Sequence, residues 1–178
     1  MKNRGQVWIE TVLYTLIGLT LMGLVLGFVM PKINETKDRA LIEQAINSLS
    51  DLDAKISNVI QTGPGNVRQT EFLMKKGEFY VNASADRIEM VLNVAKPYSE
   101  PNITVYIGKI KVLSEVGQKT SRVYIRADYK DYNINITYNE EEDEKKFTAA
   151  PTPYKFFIEN RAAANTPGWI NINEISNR

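Results

Sequence analysis

The chain has no cysteine and no histidine among its 178 residues. The first absence excludes disulfides, thiolate nucleophiles and cysteine-held metal. The second removes the commonest general base and the commonest transition-metal ligand. Any folded domain must therefore be held by packing alone. Charge of one sign is also missing: 22 Lys and Arg stand against 21 Asp and Glu, for a net charge of +1. No basic field favours nucleic acid. No residues pair a nucleophile with a base, so an enzyme is not expected, nor is a cofactor or a metal. Arg122, Asp128 and the nearby tyrosines read as ordinary exposed strand residues.

Charge is scarcest near the start. Lys2 and Arg4 precede Gly5 and Gln6, and Val7 to Met30 then carry a single charge, Glu10. About 20 apolar residues span a bilayer, so this segment is long enough. A carboxylate inside hydrocarbon costs about 2.5 kcal/mol or more, which marks Glu10 as a functional candidate. The cations ahead of the segment favour a cytoplasmic N-terminus, with the rest of the chain outside. Three readings compete. A secretory signal cut after the segment needs an Ala-x-Ala pattern, which Gly27-Phe28-Val29-Met30-Pro31 fits poorly. A plain single-pass anchor, as on a surface binding protein that never polymerises, leaves Glu10 unexplained. Cleavage between Gly5 and Gln6 retains the whole apolar helix and makes Glu10 the fifth mature residue.

A short basic leader ending in Gly5, then Gln6, then Glu10 within an apolar helix, resembles the class III signal of archaeal type IV pilins and archaellins. It is similar to that of bacterial type IV prepilins. The resemblance covers residues 2 to 31. It implies a prepilin peptidase acting after Gly5 at the cytoplasmic side, and a pilus assembly platform. It implies a homo-oligomeric surface filament with apolar helices bundled in its core, passing through the membrane as a precursor. In such a bundle the amine freed on Gln6 and the Glu10 carboxylate of a neighbour would offset one another's desolvation. Otherwise Glu10 snorkels towards the membrane surface, or stays protonated, and only aids peptidase recognition. Gly23 and Gly27 form a GxxxG, a spacing that lets apolar helices approach closely.

Beyond Pro31 the helix pattern continues. Ile42, Ile46, Leu49, Leu52, Ile56 and Val59 recur at three and four residues, a stripe suited to packing on a sheet. Gly63-Pro64-Gly65 ends it. The later chain holds eight of the nine tyrosines and many β-branched residues. Ile88, Met90, Leu92 and Val94 alternate with polar neighbours, as do Val123, Ile125 and Ala127, and Ile134, Ile136 and Tyr138. Lys76-Gly77 reads as a hairpin turn joining Phe72-Leu73-Met74 to Phe79-Tyr80-Val81. Tyr154 to Ile158 and Trp169 to Ile172 read as late strands.

The expected fold is α+β. A leader (1–5), a transmembrane or filament-core helix (6–31) and an amphipathic helix (32–62) precede a β-rich extracellular head (63–178), an antiparallel β-sandwich. Four N-x-S/T sequons, at Asn34, Asn82, Asn102 and Asn135, are candidate glycosylation sites. Asn82 and Asn135 are best placed, and Asn34, in the helix, is least suited. The acidic run Glu140 to Glu144 lacks the spacing of a calcium loop and reads as a solvated connection.

Overall fold

The computed structural model describes residues 3–163 and 167–175. Lys2, one of the two leader cations, lies outside them. The described residues run as one long α-helix, α1 (Asn3–Thr62), and then ten strands. It divides into two units, one ending at Lys37 and one beginning at Asp38. Within the first unit, residues 7–33 are rich in Leu, Val and Ile and expose apolar side chains on every face. Pro31 lies inside α1. Having no N–H, it leaves the Gly27 carbonyl without its helical donor.

The second unit contains the amphipathic stripe. Ile42, Ala45, Ile46, Leu49, Leu52, Ile56 and Val59 are all buried. Each contributes about 1.5–3 kcal/mol of burial if it is Val, Leu or Ile. Helix termination follows from Gly63, whose φ of +99° suits glycine. Asn66 Nδ2 donates to the Thr62 and Gly63 carbonyls, both at 3.0 Å, which satisfies acceptors left open at the helix end. Asp38, the first residue of this unit, is tied twice. Its carboxylate accepts the Ala95 N–H at 2.7 Å and pairs with Lys76 Nζ at 3.0 Å.

The strands are β1 (Val67–Phe72), β2 (Glu78–Asn82), β3 (Arg87–Val94), β4 (Thr104–Ile107), β5 (Ile110–Val116), β6 (Ser121–Asp128), β7 (Ile134–Tyr138), β8 (Glu144–Thr148), β9 (Tyr154–Asn160) and β10 (Gly168–Glu174). They form a four-stranded sheet, β1-β9-β10-β7, and a six-stranded sheet, β4-β5-β6-β3-β2-β8. Together with α1 they make an α+β fold whose sheets are arranged as a sandwich.

The alternating residues of β3 and β6 fall as their pattern requires. Ile88, Met90, Leu92 and Val94 are buried, as are Val123, Ile125 and Ala127. These strands pair antiparallel, with Met90 opposite Ile125 and Leu92 opposite Val123. The late strands also form, as β9 and β10.

One expectation needs correction. Lys76-Gly77 is not a hairpin turn. β1 pairs with β9 in one sheet, while β2 pairs with β3 and β8 in the other. Phe72 and Phe79 are neighbours, with ring centroids 4.4 Å apart, but they face each other across the two sheets. An aromatic seam explains the crossover: Phe72, Tyr138, Tyr154 and Phe156 of the small sheet meet Phe79 and Phe147 of the large one. Burial between layers outweighs the local turn signal. Gly77 is still required, because its φ is +94° and an added Cβ would lie 2.5 Å from the Val91 carbonyl oxygen. Within the antiparallel-rich sandwich one pair, β10 with β7, runs parallel.

Candidate functional site

The segment that sets this chain apart is residues 7–33 of α1. Trp8 and Tyr14 are each 70% exposed and Phe28 is 79% exposed. Leu, Ile and Val side chains around the whole circumference are open in the same way. A soluble helix buries one stripe, and a helix apolar all round requires an apolar surrounding on all sides. By length and composition it is able to cross a membrane.

Its polar side chains suit such surroundings. Thr11, Thr15 and Thr20 turn their hydroxyls back to the carbonyls of Val7, Thr11 and Leu16, at 2.7–2.8 Å. Each donor is thus satisfied within the helix, where hydrocarbon supplies no partner. The sequence reading missed these threonines, although their placement inside an apolar run was the available signal.

Glu10 is exposed on the same segment. Gly5 and Gln6 have helical backbone, and their side chains fall outside the described set. Gly23 and Gly27 are open: an added Cβ at either would meet nothing within 4 Å. Their small size is therefore not demanded by contacts made within this chain. On an ideal helix they stand about 100–140° around from Glu10, so the carboxylate and the glycine notch mark different faces.

The four sequons are dispersed. Asn34 is exposed on α1, and its Thr36 hydroxyl donates to the Lys32 carbonyl at 3.0 Å. Asn82 ends β2 and caps a short 3-10 turn. Its Oδ1 accepts the Ala85 N–H at 2.9 Å and its Nδ2 donates to Glu144 Oε2 at 2.5 Å. Asn102 occupies an exposed turn at φ +61°. Asn135 is exposed on β7.

The acidic run is dismantled by separate partners. Glu140 pairs with Arg161 at 2.6 Å, Glu141 bridges back to Tyr138, and Glu144 opens β8. Among the described residues, no three acidic side chains converge as a cation cage.

Tyr129 and Tyr138 are two of the head's phenols whose pKa is raised. The Tyr129 hydroxyl donates to Asp53 Oδ1 at 3.0 Å, joining β6's end to α1. Burial, and then the Asp53 charge, push its pKa well above the ordinary value. Burial, followed by Glu174, raises Tyr138 to about 12. Both are structural groups, held neutral.

No protein-family model, curated protein or solved structure matches the chain. The residues themselves define the class: a head domain bearing an N-terminal helix apolar enough to anchor in a membrane.

Proposed function

We propose that this chain is the structural subunit of a type IV pilus-like surface filament. A prepilin peptidase would process it between Gly5 and Gln6, and its apolar helix would drive assembly. The supporting observation is the all-round exposure of residues 7–33 on a chain whose compact unit begins only at Asp38. As a precursor the segment is covered by lipid, with the N-terminus cytoplasmic and the head outside. After assembly the same segments of neighbouring copies cover one another. Three internally bonded threonines suit both surroundings.

In the bundle, Glu10 receives the amine freed on Gln6 of a neighbour. Either charge alone is costly to desolvate, and pairing offsets much of that cost. The pair also fixes how far one helix slides along the next. Gly23 and Gly27, open on another face, give a place for close helix approach. The role is structural rather than catalytic, with adhesion or motility downstream of the filament and glycans on the outer face of the head.

The mass of the chain recovered from its own cells tests processing. A chain beginning at Gln6 is expected, and Gly5 replaced by a bulky residue should retain residues 1–5. A wild-type chain still carrying residues 1–5 would instead support a plain anchor. A cut near Met30 would refute both.

A further inference from the structure

We infer that Asn135 carries an N-linked glycan whose first sugar is seated on the indole of Trp169. The inference rests on the head facing the outside of the cell. It starts from strand register. β7 and β10 are parallel neighbours, and Asn135 lies directly opposite Trp169. Paired residues project from the same face, with strands about 4.8 Å apart. Thr137, two residues on, shares that face.

The indole is locked in place. Trp169 Nε1 donates to Thr137 Oγ1 at 2.9 Å, and Thr137 Oγ1 in turn donates to Asn171 Oδ1 at 3.0 Å. The ring therefore lies along the Asn135-Ile136-Thr137 sequon, with its polar edge satisfied inward. Even so, Trp169 is 38% exposed. It opens into a cleft of about 450 Å³ lined also by Asn135, Ser84, Asp86, Glu140 and Glu142. A flat apolar ring beside carboxylates and a hydroxyl matches a pyranose, which has an apolar C–H face and a rim of hydroxyl donors.

The other sequons lack this setting. The Asn82 amide is engaged at both its oxygen and its nitrogen. Asn34 is on a helix, and Asn102 is in an exposed turn outside the cleft. The covalent step is a glycosyl transfer from a lipid phosphate-linked sugar. Asn135 Nδ2 bonds to sugar C1 and loses one proton. The C1–O bond to phosphate breaks, and the lipid phosphate leaves with the electron pair. Thr137 is buried in the folded head. Transfer therefore precedes closure of β7 against β10, and folding then brings the sugar onto the ring.

The test uses full-length protein recovered from its own cells, with protease treatment of intact cells run in parallel. Peptide mass spectrometry should find sugar on Asn135. Hydroxyl-radical labelling, read at Trp169, should rise about threefold or more in Asn135→Gln, because the ring loses its cover. Asn135→Asp should behave alike, which separates sugar loss from a peculiarity of one variant. A bare Asn135 on a head that external protease can reach overturns the inference and leaves the surface reading intact. Equal Trp169 labelling with and without the glycan overturns the seat. Protection of Trp169 by added free monosaccharide, with Asn135 bare in the wild type, reassigns the cleft to a soluble sugar. A head that external protease cannot reach overturns the surface reading itself.

Discussion

Two leucines of one helix should respond oppositely to the same truncation. Leu49 is fully buried, whereas Leu19 is 65% exposed. Leu49→Ala removes side-chain atoms from the core of the unit beginning at Asp38 and leaves a cavity. Such changes cost about 2–5 kcal/mol, the upper end where surroundings cannot collapse. Leu49 is one of a row of buried positions pinned between Asp38 at one end and the Gly63 stop at the other, so relaxation is restricted. For a domain of this size each kcal/mol lowers Tm by roughly 3–4 °C, so a fall of roughly 10 °C is expected. Leu19→Ala should leave the unit beginning at Asp38 within about 0.5 kcal/mol of wild type, since Leu19 is exposed and belongs to the other unit. Thermal unfolding followed by circular dichroism in mild detergent reads both variants. Equal Tm values for Leu49→Ala and wild type would refute the packing of the stripe. A large loss in Leu19→Ala would refute the exposure of Leu19.

Other outcomes follow from the same structure. A fragment beginning at Asn66 lacks seven buried apolar residues of α1 and should not fold, whereas one beginning at Lys32 should give a cooperative transition; similar Tm values for the two would contradict this. Tyr129 and Tyr138 are held neutral, so their contribution to stability should be flat below pH 10 and fall as pH rises above it, where unfolded tyrosine ionises first. Each buried phenol contributes a slope of up to about 1.4 kcal/mol per pH unit, and Tyr129→Phe should flatten the denaturant-midpoint profile in that range. Gly77→Ala should destabilise by about 1–3 kcal/mol through its positive φ and the Val91 carbonyl, as chemical denaturation would show. Glu10→Ala should leave cleavage intact and sharply reduce filament yield, with Glu10→Asp intermediate; normal filaments from processed Glu10→Ala protein would show the pair is not needed.

The strands that sequence revealed best are those buried on one face. β3 and β6 alternate because one side meets the core and the other water, and period-two patterning reports that directly. The helix stripe from Ile42 to Val59 was legible for the same reason. Which strands pair was not legible. Phe72-Leu73-Met74-Lys75-Lys76-Gly77 carries a local turn signal, yet β1 pairs with β9, and β2 pairs with β8 as well as β3, the β9 and β8 partners lying some sixty to ninety residues on in sequence. The parallel β10-β7 pair is likewise a long-range choice with no local mark. At the apolar segment, Glu10 and the glycines were visible as exceptions in a uniform run. The threonines were visible there too, but that each hydroxyl bonds within its own helix is a geometric fact that hydropathy does not carry. Trp169 read only as the start of a strand, because its place beside Asn135 depends on the pairing of β10 with β7.

In the proposed filament the apolar segment is covered by other copies of itself. Electron microscopy of material sheared from the cell surface, with the constituent chain identified by mass, is the decisive measurement. Helical filaments built from a chain that begins at Gln6 are expected. Finding the chain only in the membrane fraction, as a dispersed anchored protein with no filament containing it, would contradict that account.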